Sequence, residues 1–155
     1  MKRVLKVFVA ILMIFTVLVT QQKKTYARTF YRDVAFVRIK GNRLYYRKLA
    51  ECVLDGYDDA DRVGIGKTYS YKINKKTKYY MKCFYKGKFI ERISKKKFLK
   101  KVSLYFKHKK KIGYVYWLDG HELKKQLKRT VYMDEKISVY VKNKTIMKIG
   151  ILQAD

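Results

Sequence analysis

Three short stretches of this sequence carry residues whose types and spacing suit chemistry. The first is ADRVGIGKTYS, Ala60 to Ser70, which ends a glycine-bearing run in Gly66-Lys67-Thr68. A phosphate-cradling P-loop has the spacing G-x-x-x-x-G-K-[ST] and opens a helix whose first amides hold the anion. Here Asp61 stands where the first glycine belongs, beside Asp58 and Asp59. A carboxylate there would repel the phosphate. The residues that follow, TYSYKI, alternate as a strand does, so no nucleotide is expected at this loop.

The second stretch is the acidic run just before it. Asp55, Asp58, Asp59 and Asp61 place four of the chain's twelve acids within seven residues. Such a run can hold Ca²⁺, a hard cation that takes about six to eight oxygen ligands. A loop begun at Asp59 has Asp61 third and Gly64 sixth, as an EF-type loop requires, but Val63 and Ser70 fail the fifth and twelfth positions. An irregular calcium loop is one reading. The other, which we favour, is a solvated loop whose aspartates pair with the protein's own lysines.

The third stretch is HELKK, His121–Lys125. A zinc-protease helix reads H-E-x-x-H, and Lys125 occupies the place of the second histidine, where a cation opposes the metal. Asp119 and Glu122 have the spacing of a capping box, which predicts a short helix over residues 120–129. Cys52, Cys83 and His108 lack the close spacing of structural zinc sites. No metal and no cofactor is expected. Cys52 and Cys83 are the two cysteines, and in an exported chain such a pair is expected to bridge. The bridge would enclose 30 residues and add about 3–4 kcal/mol on the loop-entropy account. A buried thiol at Cys83, on the face of Tyr79 and Met81, is the alternative. Ser70, Ser94, Ser103 and Ser138 sit in no G-x-S-x-G elbow. No catalytic residue is assigned, and an enzyme or enzyme inhibitor stays as a reading without a motif.

The elements that must position these residues are mostly strands. Val34–Ile39 and Leu44–Lys48 flank a KGNR turn and predict a hairpin. Residues 49–65 read as irregular or partly helical. Lys67–Ile73, Lys78–Tyr85 and Lys88–Ile93 alternate as strands. The period then changes: Phe98, Leu99, Val102, Tyr105 and Phe106 form a helical stripe after Ser94, a side chain suited to an N-cap. Tyr114–Leu118 returns to a strand, and Lys136–Val141 with Thr145–Leu152 make a closing hairpin. The pattern predicts an α+β fold: an antiparallel sheet of five to seven strands, open or curled into an OB-type partial barrel. One main helix and one short helix accompany it.

Charge and the N-terminus set the broad class. Lys2, Arg3 and Lys6 precede an uncharged run of 14 residues, Val7–Thr20. As a helix this reaches about 21 Å, short of the ~30 Å hydrocarbon core. With Thr25-Tyr26-Ala27 as a small-x-small site, residues 1–27 are expected to be a signal peptide. An uncleaved anchor is the minor alternative. Residues 28–155 are then one basic domain, keeping 34 Lys/Arg against 12 Asp/Glu for a net +22. So cationic a surface attracts polyanions and is costly to fold. Its 14 tyrosines and Trp117 argue against disorder.

The segments VRIKGNRLYYRKL, GKTYSYKINKKTKYY, ISKKKFLKKV and ISVYVKNKTIMKIGI resemble a lysine-rich module of small secreted proteins from clostridial-type Gram-positive bacteria. They cover about half of the mature chain. The resemblance implies export and a structural role for these motifs, and supplies no catalytic residue. The chain departs from that module in its cysteines and in YWLDGHELKKQLKRTVYMDEK.

The function expected from these features is a secreted, non-catalytic binding domain held by anionic envelope polymers or an anionic membrane surface. Lys95, Lys96, Lys97, Lys100, Lys101, Lys107, Lys109, Lys110 and Lys111 are the expected contacts. Extracellular nucleic-acid binding is the second expectation, with Tyr69, Tyr71, Tyr79, Tyr80, Tyr114 and Tyr116 offered for stacking.

Overall fold

The computed structural model describes residues 28–56, 58–84, 87–105, 109–118 and 120–153. The expected leader over residues 1–27, Lys107, His108 and the capping residue Asp119 lie outside the described residues.

A hairpin opens the fold. Strands β1 (Thr29–Lys40) and β2 (Arg43–Leu54) turn at Gly41-Asn42, with Gly41 at φ 57°, a left-handed conformation that glycine adopts without strain. The remaining elements are β3 (Ala60–Lys72), β4 (Lys78–Phe84), β5 (Lys88–Ile93), α1 (Lys95–Tyr105), β6 (Lys109–Leu118), β7 (His121–Met133), β8 (Lys136–Lys142) and β9 (Thr145–Leu152). All of the strands join one sheet in the order β3-β7-β6-β2-β1-β8-β9-β4-β5. The class is α+β with the sheet dominant.

The sheet is larger than the five to seven strands expected, nine among the described residues, and it is mixed because β9 runs parallel to both β3 and β4. Two segments differ from the expectation: one lengthens strands already expected, and the other adds a strand. Residues 49–65, expected to be irregular, extend β2 and begin β3: Ala50, Cys52 and Leu54 are buried in alternation with Glu51 and Val53. Residues 120–129, expected to be a helix, fall within the turn at Gly120 and strand β7 instead. Leu123 and Leu127 are four apart, a spacing that serves one face of a helix and one face of a strand alike. Pairing with β6 decides between them, matching Val115 with Leu127 and Gly113 with Arg129.

Extra pairings make the sheet ring-like rather than a closed barrel. One circuit runs β1-β2-β3-β9-β8 and back to β1, its seam a single parallel bridge between Lys72 and Thr145. A second runs β2-β3-β7-β6 and back to β2, its seam the pairs Gly64–Tyr132 and Ile65–Val131. The β2–β3 ladder belongs to both. Its register slips between Tyr46 and Lys48, where β2 leaves the first circuit for the second.

Each circuit encloses its own core. The first holds Val34, Phe36, Leu44, Tyr46, Val139 and Ile149, among others. The helix adds Phe98 and Val102, the Phe98 ring meeting Phe36 edge-on at 6.1 Å and Tyr79 at 5.4 Å. The helix starts where Ser94 predicts. Its hydroxyl accepts from the Lys97 amide at 3.1 Å and its carbonyl from the Phe98 amide at 3.0 Å, as an N-cap does. The second core is smaller: Ala50, Cys52, Leu54, Val63, Ile65, Val115 and Val131.

Candidate functional site

Local hydrogen bonds shape a cleft at one end of the first circuit. As β3 ends, the Ile73 amide donates to the Asn42 carbonyl at 2.8 Å, tying the strand to the β1–β2 turn. The chain then turns through Asn74–Thr77. There the Asn74 side chain accepts from the Lys76 amide at 2.8 Å, and the Asn74 amide donates to the Thr77 hydroxyl at 3.0 Å. That hydroxyl donates onward to the Ile146 carbonyl at 2.7 Å, so the turn is pinned to β9. The opposite wall is the end of β5 and the start of α1.

The result is a cavity of about 600 Å³ lined by five cations, Lys72, Lys75, Lys78, Arg92 and Lys95, with Ser94 among them. All five cationic residues are exposed, and no carboxylate lines the cleft among the described residues. With no internal counter-charge, five cations facing one concavity make a positive potential that an anion relieves.

The lysines expected from sequence are only partly gathered here. Lys95 lines the cleft; Lys96, Lys97 and Lys100 stand exposed on the outer face of α1, and Lys101 is half-buried. Lys97 reaches Glu91 at 3.6 Å. Lys109, Lys110 and Lys111 are exposed at the start of β6, in register with Met133, Tyr132 and Val131 of the second circuit. Sequence reading missed Lys72 and Arg92. Lys72 ends β3, where it bridges to Thr145 of β9, and Arg92 arrives because β4 lies beside β9 and β5 beside β4, juxtapositions that no local pattern announces.

Of the four aspartates, Asp55 meets Lys128 at 3.3 Å, and Asp61 accepts from the Lys136 ammonium and from the Arg62 amide at 2.7 Å. The hydrogen bond to Asp55 raises the Lys128 pKa. Asp58 and Asp59 are exposed. Among the described residues no three His, Cys, Asp or Glu side chains gather as a metal site would require. His121 and Glu122 begin a strand, so they have no helical face to share.

The expected Cys52–Cys83 disulfide is not formed; both thiols are free and buried. Cys52 points into the second core, whereas Cys83 lies on β4 against Gly150 and Phe89. Their strands are not neighbours in the sheet: β2 pairs with β1, β3 and β6, and β4 with β5 and β9. Burial, the largest cause at each, raises both thiol pKa values.

Several tyrosines offered for stacking are turned inward. Tyr79 is buried, and Tyr69 and Tyr71 pack on the first core, flanking Tyr46 at ring distances of 5.7 and 4.8 Å. Burial pushes the Tyr46 hydroxyl far above its usual range. Tyr80, Tyr114 and Tyr116 are half-buried; Tyr80 lies against Phe89 and Tyr114 carries Lys128 over its ring. Among the described residues no helix is long and apolar enough to cross a membrane.

The chain matches no protein-family model, no curated protein and no solved structure.

Proposed function

We propose that this protein is an exported, non-catalytic basic module that associates with anionic envelope polymers, such as phosphate-bearing wall polymers and acidic glycans, or with an anionic membrane surface. The observation that carries the reading is the cleft in which Lys72, Lys75, Lys78, Arg92 and Lys95 converge without a carboxylate. The exposed helix lysines lie beside it in sequence and extend the cationic surface. Such association gains from the release of counterions and weakens steeply with salt. Retention on purified cell walls and on anionic vesicles across a salt series tests it. Retention at low salt that falls as salt rises supports the reading; absent or salt-insensitive retention removes it.

A second reading, extracellular nucleic-acid binding, is favoured by the path of the first circuit. Five strands follow one another as β1-β2-β3-β9-β8 with β3 and β9 parallel, an order that resembles the OB type. The loop between the first two strands, where OB domains hold oligonucleotides, here lines the basic cleft with Gly41 and Asn42. Single-stranded DNA compared with a polymer of equal charge but no bases separates the two. Base stacking adds about 1–3 kcal/mol per base.

A further inference from the structure

The geometry points to a second binding site, a saccharide cleft built around Trp117 on the outside of the second circuit. Its ligand is an uncharged sugar unit, so it goes beyond the polyanion reading and does not depend on it. The β2–β3 and β2–β6 ladders place Trp117, Glu51 and Arg62 in one row across three strands: Glu51 is in register with Trp117 on one side and with Arg62 on the other. Two strand spacings make that row about 10 Å long. The inward neighbours Ala50 and Cys52 fill the core, so the row faces out, and all three of its residues are exposed.

A cavity of about 540 Å³ opens over this row, with Tyr31, Arg32 and Asp33 of β1 as its other wall. Arg62 reaches across to Asp33 at 3.5 Å.

Three properties select the ligand. Trp117 is 42% exposed, in a chain whose other large rings are mostly packed away; the Tyr31 ring, though exposed, lies against Tyr140 at 4.8 Å. An exposed indole flanked by polar side chains suits a ligand with an apolar face and a polar rim. Second, the lining residues carry both signs in equal number, Arg32 and Arg62 with Asp33 and Glu51, whereas the basic cleft has five cations and no acid. A locally balanced site in so cationic a protein does not suit a polyanion. Third, fixed donors and acceptors side by side match hydroxyl groups, each of which donates and accepts. A pyranose ring has that combination: C–H faces for the indole and equatorial hydroxyls for Glu51, Asp33 and Arg62. A nucleic-acid strand would bring its phosphates against both carboxylates.

Trp117 is the chain's single tryptophan, so its fluorescence reports the site directly. The full mature protein is titrated with soluble uncharged oligomers of N-acetylglucosamine, glucose and mannose, at low and at high salt. The expected result is a saturable change with at least one series and the same affinity at both salt levels. By calorimetry Trp117→Ala abolishes that binding, and Glu51→Gln weakens it about tenfold through loss of one charge-assisted hydrogen bond. Lys72→Ala with Arg92→Ala leaves it unchanged, which separates this site from the basic cleft. Melting curves of the variants confirm that each is folded. The assignment is overturned by no saturable change in any series, by binding that vanishes as salt rises, or by binding that survives both Trp117→Ala and Glu51→Gln. It also falls if single-stranded DNA, and no sugar, perturbs the indole.

Discussion

Arg47 donates to Asp134 at the point where the two circuits of strands meet, and its guanidinium lies 3.7 Å over the Tyr132 ring. The Asp134 side chain is fully buried and that of Arg47 nearly so, at 13% exposed. Arg47 sits in the register slip of β2, and Asp134 in the link between β7 and β8. The pair therefore joins a strand of both circuits to the connection between them. Gly64 leaves the room it needs, since a β-carbon there would stand 3.0 Å from the Asp134 carboxylate.

Removing either partner takes a charge-assisted hydrogen bond from a buried ion pair. Arg47→Ala or Asp134→Ala is expected to cost about 3–5 kcal/mol in denaturant unfolding. Joint replacement by Arg47→Met and Asp134→Leu should cost clearly less than the two single changes summed. Equal additive losses would show that the pair is not the source of the effect.

In the basic cleft, the expected loss is electrostatic rather than structural. Lys72→Ala and Arg92→Ala should each lower the slope of log K against log salt for a phosphate polymer by about 0.7–1. Unfolding midpoints should hardly move, because both side chains are exposed. A slope unchanged in both variants places the contact elsewhere.

The second core is tight beside Cys52. A β-carbon on Gly113 would run into the Cys52 thiol and stand 3.1 Å from the Val53 carbonyl. Gly113→Ala should destabilise by about 1–3 kcal/mol. Adding Cys52→Ala should return part of that loss, a coupling of about 0.5–3 kcal/mol in a double-mutant cycle. Strict additivity would rule out the clash.

The two thiols should be silent in the native protein. Both are buried with raised pKa values, and the thiolate is the reactive form. An alkylating reagent near neutral pH is expected to modify neither until denaturant is added, after which intact mass shows two additions. Rapid modification of the native chain, or a mass gain of two hydrogens on reduction, would contradict the geometry.

Glu135 carries a pH dependence of definite sign. Burial raises its carboxyl pKa above the ordinary 4.5, offset in part by Lys136. The unfolded chain ionises first as pH rises, so this group's contribution is present at acid pH and is lost between the ordinary and the raised value. Glu135→Gln should flatten stability in that window and help at neutral pH. A variant whose stability still falls there by the same amount would assign the titration to another group.

Local structure was legible in the sequence wherever one short-range rule governed it. The Gly41-Asn42 turn, the Ser94 cap, the Phe98–Val102 stripe and the closing hairpin all lie where turn chemistry and periodicity place them. The hairpin turn itself holds Asn143 at φ 50° and Lys144 at φ 59°. Strand β7 misled because Leu123 and Leu127 satisfy two periods at once, and only β6 distinguishes them. Residues 49–65 misled because Asp55, Asp58 and Asp59, with Asp61 and Gly64 beyond them, break the pattern of two strands that run up to them from either side.

The clefts were less legible than the elements. Charge singled out Lys95, which lines the basic cleft, but Lys72 joins it through the bridge of β3 to β9 and Arg92 through the placement of β4 beside β9 and β5 beside β4. Trp117 and Glu51 are 66 positions apart and meet through ladder register. Cys52 and Cys83 reverse the case: compartment chemistry argued for joining two residues that the strand order holds apart.

The two seams also set a timetable. Both circuits close on strands from the last third of the chain, β6 and β7 for one and β8 and β9 for the other. β1 must wait for β8, about a hundred residues later, before its second edge is covered. Pairings this distant in sequence form slowly, since the intervening loop must be ordered first. The β1–β2 hairpin thus emerges from synthesis with an open edge and completes its sheet only once β8 and β9 have followed, so the ring closes late relative to its first strands.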